Sequence, residues 1–469
     1  MSGPIFLEPG GAEQDTLAIR LAAPRPRRRH PDDATLAIRI PRKGPDQEAV
    51  SALAAELADR IGPAVHPYEV AALLEADGLS AALIQERYGH PDLFSLASAL
   101  YERVPRTFPD PATAAADPWR PDTVRCLLRG LLFALPALAY LLTAPLWRVD
   151  RHAPVLIVAG IASWAWGQAL GHRAHLRLAT GRREAARTLL AGSALGAAVA
   201  TGLAALPAGG GPITAVAGAQ SLYLAGAGVL LVLGRERLLL AALSPLIAGA
   251  AVLPWWEPGA LLRLALPLLA LLATLAAAVL VLASGLAVPA VAAGPRPRLR
   301  ASVPYGLFGL AAAVLVMLEG RRDPYAVIAL TLSMGPAEWL LYRYRGRSVA
   351  ALHASATPRA FLFRSSGVLA LCLSGYLLLL LPPALLTGSG PVALLSLAAV
   401  LWTALLLQAF GVAWPPAAVC LATAGAAAAF TWLGPSPGHP AVLPAVCGVA
   451  AVALSACTVV LLGRPSPHS

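Results

Sequence analysis

The stretch Trp164–Arg187, WAWGQALGHRAHLRLATGRREAAR, decides the fold. An apolar run from Val155 to Trp166 ends at Gly167 and Gln168, a basic amphipathic segment follows, and the next apolar run begins at Thr188. Apolar runs of this length are typical of membrane spans, and arginines at their ends indicate the cytoplasmic face. The stretch therefore predicts a chain that leaves a membrane on its cytoplasmic side and enters it again.

The composition indicates a polytopic membrane protein. Hydrophobic residues make up 57% of the chain and charged residues only 13%, whereas soluble domains carry about a quarter charged residues. The net charge of +11 could indicate a nucleic-acid partner. In a membrane protein, however, arginines concentrate on the cytoplasmic side to set its orientation, so we expect no nucleic acid. The Ala, Leu, Gly, Pro and Arg bias favours a bacterial source and hence the plasma membrane.

The five cysteines lie in or beside apolar runs, without a CxxC pair or a histidine cluster. This pattern predicts small apolar residues rather than a metal site, a cofactor site or a disulfide framework. The first hundred residues contain no signal-peptide-like apolar segment, so we expect the first span to direct insertion.

The chain divides by composition into six segments. Residues 1–45 are predicted to be a disordered basic arm, 46–105 a small cytoplasmic helical domain, and 106–125 a proline-rich linker. Residues 126–290 and 291–463 are predicted to form two six-helix lobes, and 464–469 a tail. The pentapeptide Thr-Leu-Ala-Ile-Arg occurs at Thr16–Arg20 and again at Thr35–Arg39. It is either a duplicated docking motif for a cytoplasmic partner, a basic arm that contacts anionic lipid, or a chance duplication.

We expect about twelve transmembrane helices between residues 126 and 462. Counts of eleven or thirteen are the alternatives, because almost nothing separates the tenth and eleventh spans at Gln408–Val412. The connectors predicted to be cytoplasmic carry fifteen arginines and the outer ones four. This asymmetry predicts that both termini are cytoplasmic. Long basic connectors follow the second and eighth spans, and Gly167 and Gly335 begin these regions 168 residues apart. This recurring spacing of spans and connectors predicts a parallel repeat of six helices.

Polar residues within the spans are the candidates for function, because they are costly in lipid and usually face a cavity. Glu338 is the sharpest case. Pro336 frees a backbone carbonyl and Gly335 allows another helix to approach, so we expect the helix to be broken beside it. The alternative is an interfacial glutamate paired with Arg343 or Arg345. Gln168 and Gln220 are weaker candidates, and for Gln220 a helix-to-helix hydrogen bond is the commoner role. We find no pattern of an enzyme site.

The segment Gly167–Gly196, GQALGHRAHLRLATGRREAARTLLAGSALG, resembles the second-to-third span region of the multidrug/oligosaccharidyl-lipid/polysaccharide (MOP) exporter superfamily. The resemblance implies two six-helix lobes that alternate access and move a lipid-linked glycan or a drug. No acid lies in the first span, which tilts the comparison toward lipid-glycan flippases. An anionic headgroup would then meet arginines at the inner mouth, at Arg173, Arg177, Arg343 and Arg345.

The leading hypothesis is a flippase-like exporter of a lipid-linked saccharide or polysaccharide precursor, with Glu338, Gln168, Gln220 and the four arginines as candidate substrate-binding residues. One alternative is a drug or small-molecule exporter, either MATE-like or major-facilitator-like. Another is a non-transporting membrane scaffold that recruits partners through residues 1–105.

Overall fold

The computed structural model describes residues 46–105, 121–146, 149–209, 211–289, 297–386, 390–433 and 441–464. Within these ranges the chain is helical and contains no β-strand. It divides into two compact units, one containing the described residues 46–105 and the other containing the long apolar helices. The predicted basic arm, its two pentapeptides, the 464–469 tail beyond Arg464 and most of the 106–125 linker lie outside the described residues.

The first unit is a small bundle of short helices. Helix α1 (Gln47–Glu56) continues into α2 (Ala58–Ile61), and α3 (Pro67–Ala76) is followed by α4 (Ala81–Leu83) with a π-helical turn to Tyr88 and by α5 (Leu93–Arg103). Asp46, Ser80 and Asp92 accept hydrogen bonds from backbone amides at the starts of α1, α4 and α5, where free amides need a partner. The apolar faces of α1, α3 and α5 enclose one core around Val50, Leu74 and Leu100.

The second unit contains twelve long helical segments, TM1 to TM12, between Thr123 and Leu462. They are TM1 (Thr123–Leu146), TM2 (Val149–Leu178), TM3 (Arg182–Ala208), TM4 (Pro212–Val232), TM5 (Glu236–Val252), TM6 (Ala260–Ala287), TM7 (Val303–Gly320), TM8 (Pro324–His353), TM9 (Pro358–Leu386), TM10 (Pro391–Ala409), TM11 (Trp414–Leu433) and TM12 (Val442–Leu462).

Ten of these helices are long and apolar enough to cross a membrane. The other two are TM5, which has only 17 residues, and TM8, which carries Glu338 and several arginines along its 30 residues. The protein is thus an all-helical, multi-pass membrane protein, as predicted. TM10 ends at Ala409 and TM11 begins at Trp414, so the boundary that the sequence left open separates two helices.

Proline breaks TM1 rather than TM8. TM1 consists of Thr123–Ala134 and Ala137–Thr143, and Pro136 lies at the junction, where it lacks the amide needed to continue the helical ladder. TM8 runs without interruption through Pro336. The expectation of a broken TM8 was therefore wrong: proline is tolerated inside a transmembrane helix where neighbouring helices support the backbone, and this helix continues on both sides of Pro336.

The helices form two lobes with the same internal arrangement. In the first lobe TM2 packs on TM3 and TM4, TM3 packs on TM4 and TM6, TM1 packs on TM5, and TM6 packs on TM4 and TM5. In the second lobe each of these pairs recurs six helices later, from TM8 on TM9 to TM11 on TM12. Each lobe has its own hydrophobic core, centred on Leu230 and Leu243 in the first and on Leu397 and Trp402 in the second. This is the parallel six-helix repeat that the connectors predicted.

Two helix pairs join the lobes. TM1 packs against TM8, and TM2 packs against TM7. A two-fold repeat that exchanges the lobes also exchanges these two pairs, so both sides of the interface follow the same geometry. The cavity described below lies between the two sides of this interface.

Candidate functional site: the cavity between the lobes

A cavity of about 550 Å³ lies between the two lobes. Its walls come from TM1, TM2 and TM4 of the first lobe and from TM7, TM8, TM9 and TM10 of the second. The cavity is partly open, and its lining reaches Ala153 near the start of TM2 and Val327 in the first turn of TM8. Its volume falls in the range of roughly 300–1,000 Å³ that is typical of small-molecule sites.

Most of the cavity wall is apolar or aromatic. Aromatic side chains line it from both lobes: Phe133, Tyr140, Trp164, Phe308, Tyr376 and Trp402. The polar atoms of Tyr376 and Trp402 are already bound within the second lobe, because the Tyr376 hydroxyl lies 2.9 Å from Ser333 Oγ and Trp402 Nε1 donates to Ala337 O at 3.2 Å. A molecule in the cavity therefore meets mainly the apolar surfaces of these rings.

Three of the sequence-predicted residues line this cavity. Gln168 on TM2, Gln220 on TM4 and Glu338 on TM8 come from three helices and both lobes. Gln220 Nε2 donates to Leu156 O at 3.2 Å, which ties TM4 to TM2. No hydrogen-bond partner reaches Gln220 Oε1 in the described part of the chain, so this amide combines the two roles that the sequence left open.

A buried ion-pair cluster lies beside the cavity. Arg129 Nη1 donates to Glu338 Oε1 at 2.6 Å, and Arg129 Nε donates to Glu236 Oε1 at 2.9 Å. Arg125 Nε donates to the same oxygen of Glu236 at 2.8 Å. The Arg129, Glu236 and Glu338 side chains are each 10% exposed or less. Two guanidinium groups and two carboxylates make the cluster neutral, which lowers the cost of burying each charge.

The helices bring these four charges together from distant parts of the chain. Arg125 and Arg129 are four residues apart and share one face of TM1. Glu236 lies in the first turn of TM5, where a negative charge is favoured by the helix dipole. The turn before it favours glycine at Gly234, because φ there is +68°, a conformation that L side chains rarely adopt. Glu338 arrives from the other lobe on TM8.

Glycines allow TM1 and TM8 to approach closely at this cluster. A Cβ on Gly130 would lie 2.8 Å from the backbone nitrogen of Gly335, and a Cβ on Gly335 would lie 2.7 Å from Cys126 O. Neither position has room for a side chain, because the obstacle is backbone. The sequence analysis named Gly335 as a point of helix approach, and the structure identifies Gly130 on TM1 as its counterpart.

TM2 and TM7 approach each other at the same end of the bundle. A Cβ on Gly309 would lie 2.6 Å from Gln168 Cγ. His172 Nδ1 lies 2.9 Å from Ser302 Oγ, and the His172 ring stacks on Tyr305 with centroids 3.9 Å apart. We call this end, at which TM1 begins and TM2 ends, the closed end. Both pairs of helices that join the lobes are in polar and steric contact there.

The four arginines of the predicted site lie elsewhere. Arg343 is exposed and stacks over Trp339, and Arg345 is buried with its guanidinium 5.4 Å from the Phe410 ring centre. Arg173 Nη1 donates to Pro297 O at 3.3 Å, and Arg177 is buried in the last turn of TM2. None of them is among the residues that line the cavity. Glu338 is paired with Arg129 rather than with Arg343 or Arg345.

The sequence analysis missed Arg125, Arg129 and Glu236. The signal was present as two arginines four residues apart at the start of an apolar span. Arg125 fell within the segment 106–125 that was predicted to be the linker, and Glu236 was not among the polar residues predicted within the spans. Among the described residues, no cluster of His, Cys, Asp or Glu could hold a metal ion.

No family model and no curated protein matches this chain. Solved structures of MOP-superfamily transporters do resemble this chain. One is an outward-facing multidrug resistance MATE transporter of the MOP superfamily, with a TM-score of 0.41 and 14% identity over 73% of this chain and 97% of that one. Another is a MOP superfamily transporter from Pyrococcus furiosus, with a TM-score of 0.39 and 15% identity over 74% of this chain and 98% of that one.

A MATE transporter in complex with MaL6 gives a TM-score of 0.40 and 15% identity, over 73% of this chain and 98% of that chain. The superfamily is the one that the segment Gly167–Gly196 resembles.

Proposed function

We propose that this protein is a membrane transporter that moves a small amphipathic molecule by alternating access between its two lobes. The observation that carries the proposal is the asymmetry of the interface. The lobes touch through Arg129–Glu338, Gly130–Gly335 and His172–Tyr305 at the closed end. Toward the other end the same interface widens into a cavity of about 550 Å³. One end sealed and the other open is the arrangement expected of one state of such a transporter.

The construction of the lobes supports movement as two rigid bodies. Each lobe has its own hydrophobic core, and the core residues of one are not shared with the other. The bonds across the closed end are side-chain contacts that can break without unfolding a helix. Packed cores resist continuous deformation, so opening is expected to occur by rotation of whole lobes about their interface.

The orientation predicted from the sequence indicates which side of the membrane the cavity faces in this state. The arginine asymmetry predicts that TM1 begins in the cytoplasm, which makes the closed end cytoplasmic and the cavity outward-facing. Opening of the closed end would then expose the cavity to the cytoplasm, from which an exported molecule is loaded.

The cavity wall favours a small, largely apolar substrate. Its charged lining residue, Glu338, is neutralised by Arg129 at 2.6 Å, and aromatic rings from both lobes supply most of the remaining surface. Such a wall binds by burying apolar area, with the amides of Gln168 and Gln220 available for one or two hydrogen bonds. These features favour the small-molecule exporter over the flippase that led the sequence analysis.

Lipid-linked saccharide export remains a second candidate, and the observation that favours it is the pair of amides. Gln168 and Gln220 line the cavity beside Trp164, and amide groups hydrogen-bond hydroxyls as both donor and acceptor. A cavity of about 550 Å³ would hold a saccharide headgroup while the lipid chain stayed in the membrane. The four arginines do not line the cavity, which weakens the case for an anionic headgroup within it.

The test measures dye efflux from proteoliposomes that contain either a cavity-filling variant or its matched control. Ala313 on TM7 is half-buried and lines the cavity, whereas Ala276 on TM6 is exposed. Ala313→Trp should lower the efflux of neutral and cationic lipophilic dyes by at least about tenfold, which corresponds to ~1.4 kcal/mol. Ala276→Trp, the matched control, should leave efflux unchanged. Equal transport by both variants would contradict the proposal.

The saccharide candidate and the scaffold alternative have a separate readout. Cells depleted of the protein should accumulate a cytoplasm-facing polyprenyl-linked glycan if the saccharide is the cargo. Restoration of the wild-type phenotype by residues 1–125 on an unrelated membrane anchor would instead support the scaffold, because this piece lacks both lobes.

A further inference from the structure

Arg177 is a buried arginine without bound partners for two of its nitrogens. It lies in the last turn of TM2 and is 6% exposed. None of the described residues accepts a hydrogen bond from its Nε or Nη1 atom. A guanidinium group removed from water normally needs hydrogen bonds and a counter-charge, because desolvation of an unpaired ion costs several kcal/mol. For these two nitrogens the described residues supply no acceptor, so the site is incomplete.

Arg183 repeats this feature on the other side of the turn that joins TM2 to TM3. The turn passes through Gly181 at φ +135°, a conformation that favours glycine. Arg183 follows two residues later, and its Nε is also buried without a hydrogen-bond partner. Its Nη1 donates to Val288 O at the end of TM6, at the long distance of 3.5 Å. Two incompletely bonded guanidinium groups therefore flank one short turn.

The surrounding segment has an excess of positive charge. Between Gly171 and Arg187 there are five arginines and one acidic residue, Glu184. Glu184 Oε1 is already engaged, because Arg187 Nη1 donates to it at 3.0 Å. The carboxylate nearest in sequence is thus used by another arginine, and the missing acceptor for Arg177 must come from outside this segment.

We propose that Arg177, together with Arg183, binds the phosphate group of an anionic membrane lipid. Arginine presents a planar fork of donors that matches phosphate oxygens. The site lies at the end of TM2 and the start of TM3, where helices leave the apolar layer and headgroups begin. In the predicted orientation this is the cytoplasmic leaflet, which is rich in anionic lipid. The site belongs to the first lobe alone, so it is independent of the proposed transport cycle and of the cavity.

The test compares thermal unfolding of the full chain in neutral detergent with added phosphatidylglycerol, phosphatidylcholine or inorganic phosphate. A ligand that binds only the folded state raises Tm. We expect phosphatidylglycerol to raise the wild-type Tm by at least about 3 °C, a shift readily resolved for a chain of this size, and phosphatidylcholine to raise it far less. Arg177→Gln should lose at least half of the gain, and Arg177→Lys should keep part of it.

Two comparisons separate this site from general surface charge. Arg182→Gln removes an exposed arginine of the same turn and should keep the full lipid-dependent gain. Without lipid, Arg177→Gln should unfold at the same temperature as the wild type or higher, because it removes a buried charge that lacks a partner.

An unchanged phosphatidylglycerol gain in Arg177→Gln would overturn the proposal, as would an equal gain from phosphatidylcholine. A large loss of Tm for Arg177→Gln without lipid would overturn it as well, because it would mean that the protein itself satisfies this arginine. An Arg177-dependent gain from inorganic phosphate of the same size would keep the phosphate site and replace the lipid with a soluble ligand.

Discussion

Arg129 Nη1 donates a 2.6 Å hydrogen bond to Glu338 Oε1 across the lobe interface, while Nε of the same guanidinium binds Glu236 of its own lobe. Glu338 therefore connects the two lobes, whereas Glu236 connects two helices of the first lobe. Under the proposed transport cycle, separation of the lobes at the closed end would break the bond to Glu338 and leave the bond to Glu236 intact. Arg129 would then stay paired in both states, whereas Glu338 would be paired with it only while the end is closed.

Glu338→Gln should loosen the closed end. The native Cys126 is the reporter, because it is 2% exposed and its carbonyl oxygen lies against Gly335. With the other cysteines replaced by alanine, we expect a membrane-impermeant maleimide to label Cys126 at least about tenfold faster in Glu338→Gln, which corresponds to ~1.4 kcal/mol. An unchanged labelling rate in a folded variant would show that the ion pair does not hold the end closed.

Glu236→Gln should have a different effect on the same reporter. Arg129 would then have Glu338 as its remaining partner in the cluster, so the tie between the lobes is kept and Cys126 labelling should not accelerate. The Tm should fall modestly, because Arg125 and Arg129 would lose the carboxylate that they share, while Arg129 keeps Glu338 and water solvates the half-exposed Arg125. Faster labelling than in Glu338→Gln would contradict the assignment of the two acids.

Gly335→Leu should wedge the closed end open. Its Cβ would meet the Cys126 carbonyl oxygen at 2.7 Å, and that backbone atom can give way only if TM1 and TM8 separate. We expect lost dye transport together with faster labelling of Cys126. Gly375→Leu on TM9 is the matched control, since nothing lies within 4 Å of its Cβ position. Retained transport in Gly335→Leu would argue against closure at this crossing.

The contact between His172 and Ser302 should stabilise the closed end, so that the effects of replacing the two residues depend on each other. His172→Phe keeps a ring to stack on Tyr305 but removes the nitrogen that lies 2.9 Å from Ser302 Oγ. Leaving the buried Ser302 hydroxyl without that partner should cost about 1–3 kcal/mol. The double variant with Ser302→Ala should recover part of this loss, and a double-mutant cycle on Tm measures the coupling. Fully additive losses would mean that the contact contributes nothing.

The small N-terminal unit should lose stability in mild acid. Burial, followed by the positive charge of Arg103, lowers the pKa of His90 below its ordinary value of 6.5. Below pH 6.5 the unfolded state binds a proton that the folded state does not, so stability falls as the pH drops. Limited proteolysis of the full chain should cleave residues 46–105 faster at pH 5.5 than at pH 7.5. His90→Asn should reduce this difference, and an unchanged ratio would contradict the role of His90.

The long apolar runs predicted most of the fold, because hydropathy over about 20 residues is a local property that the bilayer itself imposes. The boundary at Gln408 was settled by Gly411, whose φ of +79° turns the chain between TM10 and TM11. Pro336 was misleading, since a proline predicts a kink but neighbouring helices can restore the helical path. Glu338, Gln168 and Gln220 were found because polar groups in apolar runs stand out without any knowledge of contacts.

The sequence by itself determined the membrane class, the rhythm of the spans and the six-helix repeat. Only the tertiary structure decided which charges pair, because Arg129 lies 107 residues from Glu236 and 209 from Glu338. It also decided that the arginines near Arg343 and Arg173 lie outside the cavity. Ion pairing depends on which helix faces meet, and the apolar pattern that drives insertion carries little information about helix rotation within the membrane. The physical reason is that the bilayer requires only an apolar segment of sufficient length, whereas close glycine contacts and buried ion pairs determine which helices pack together.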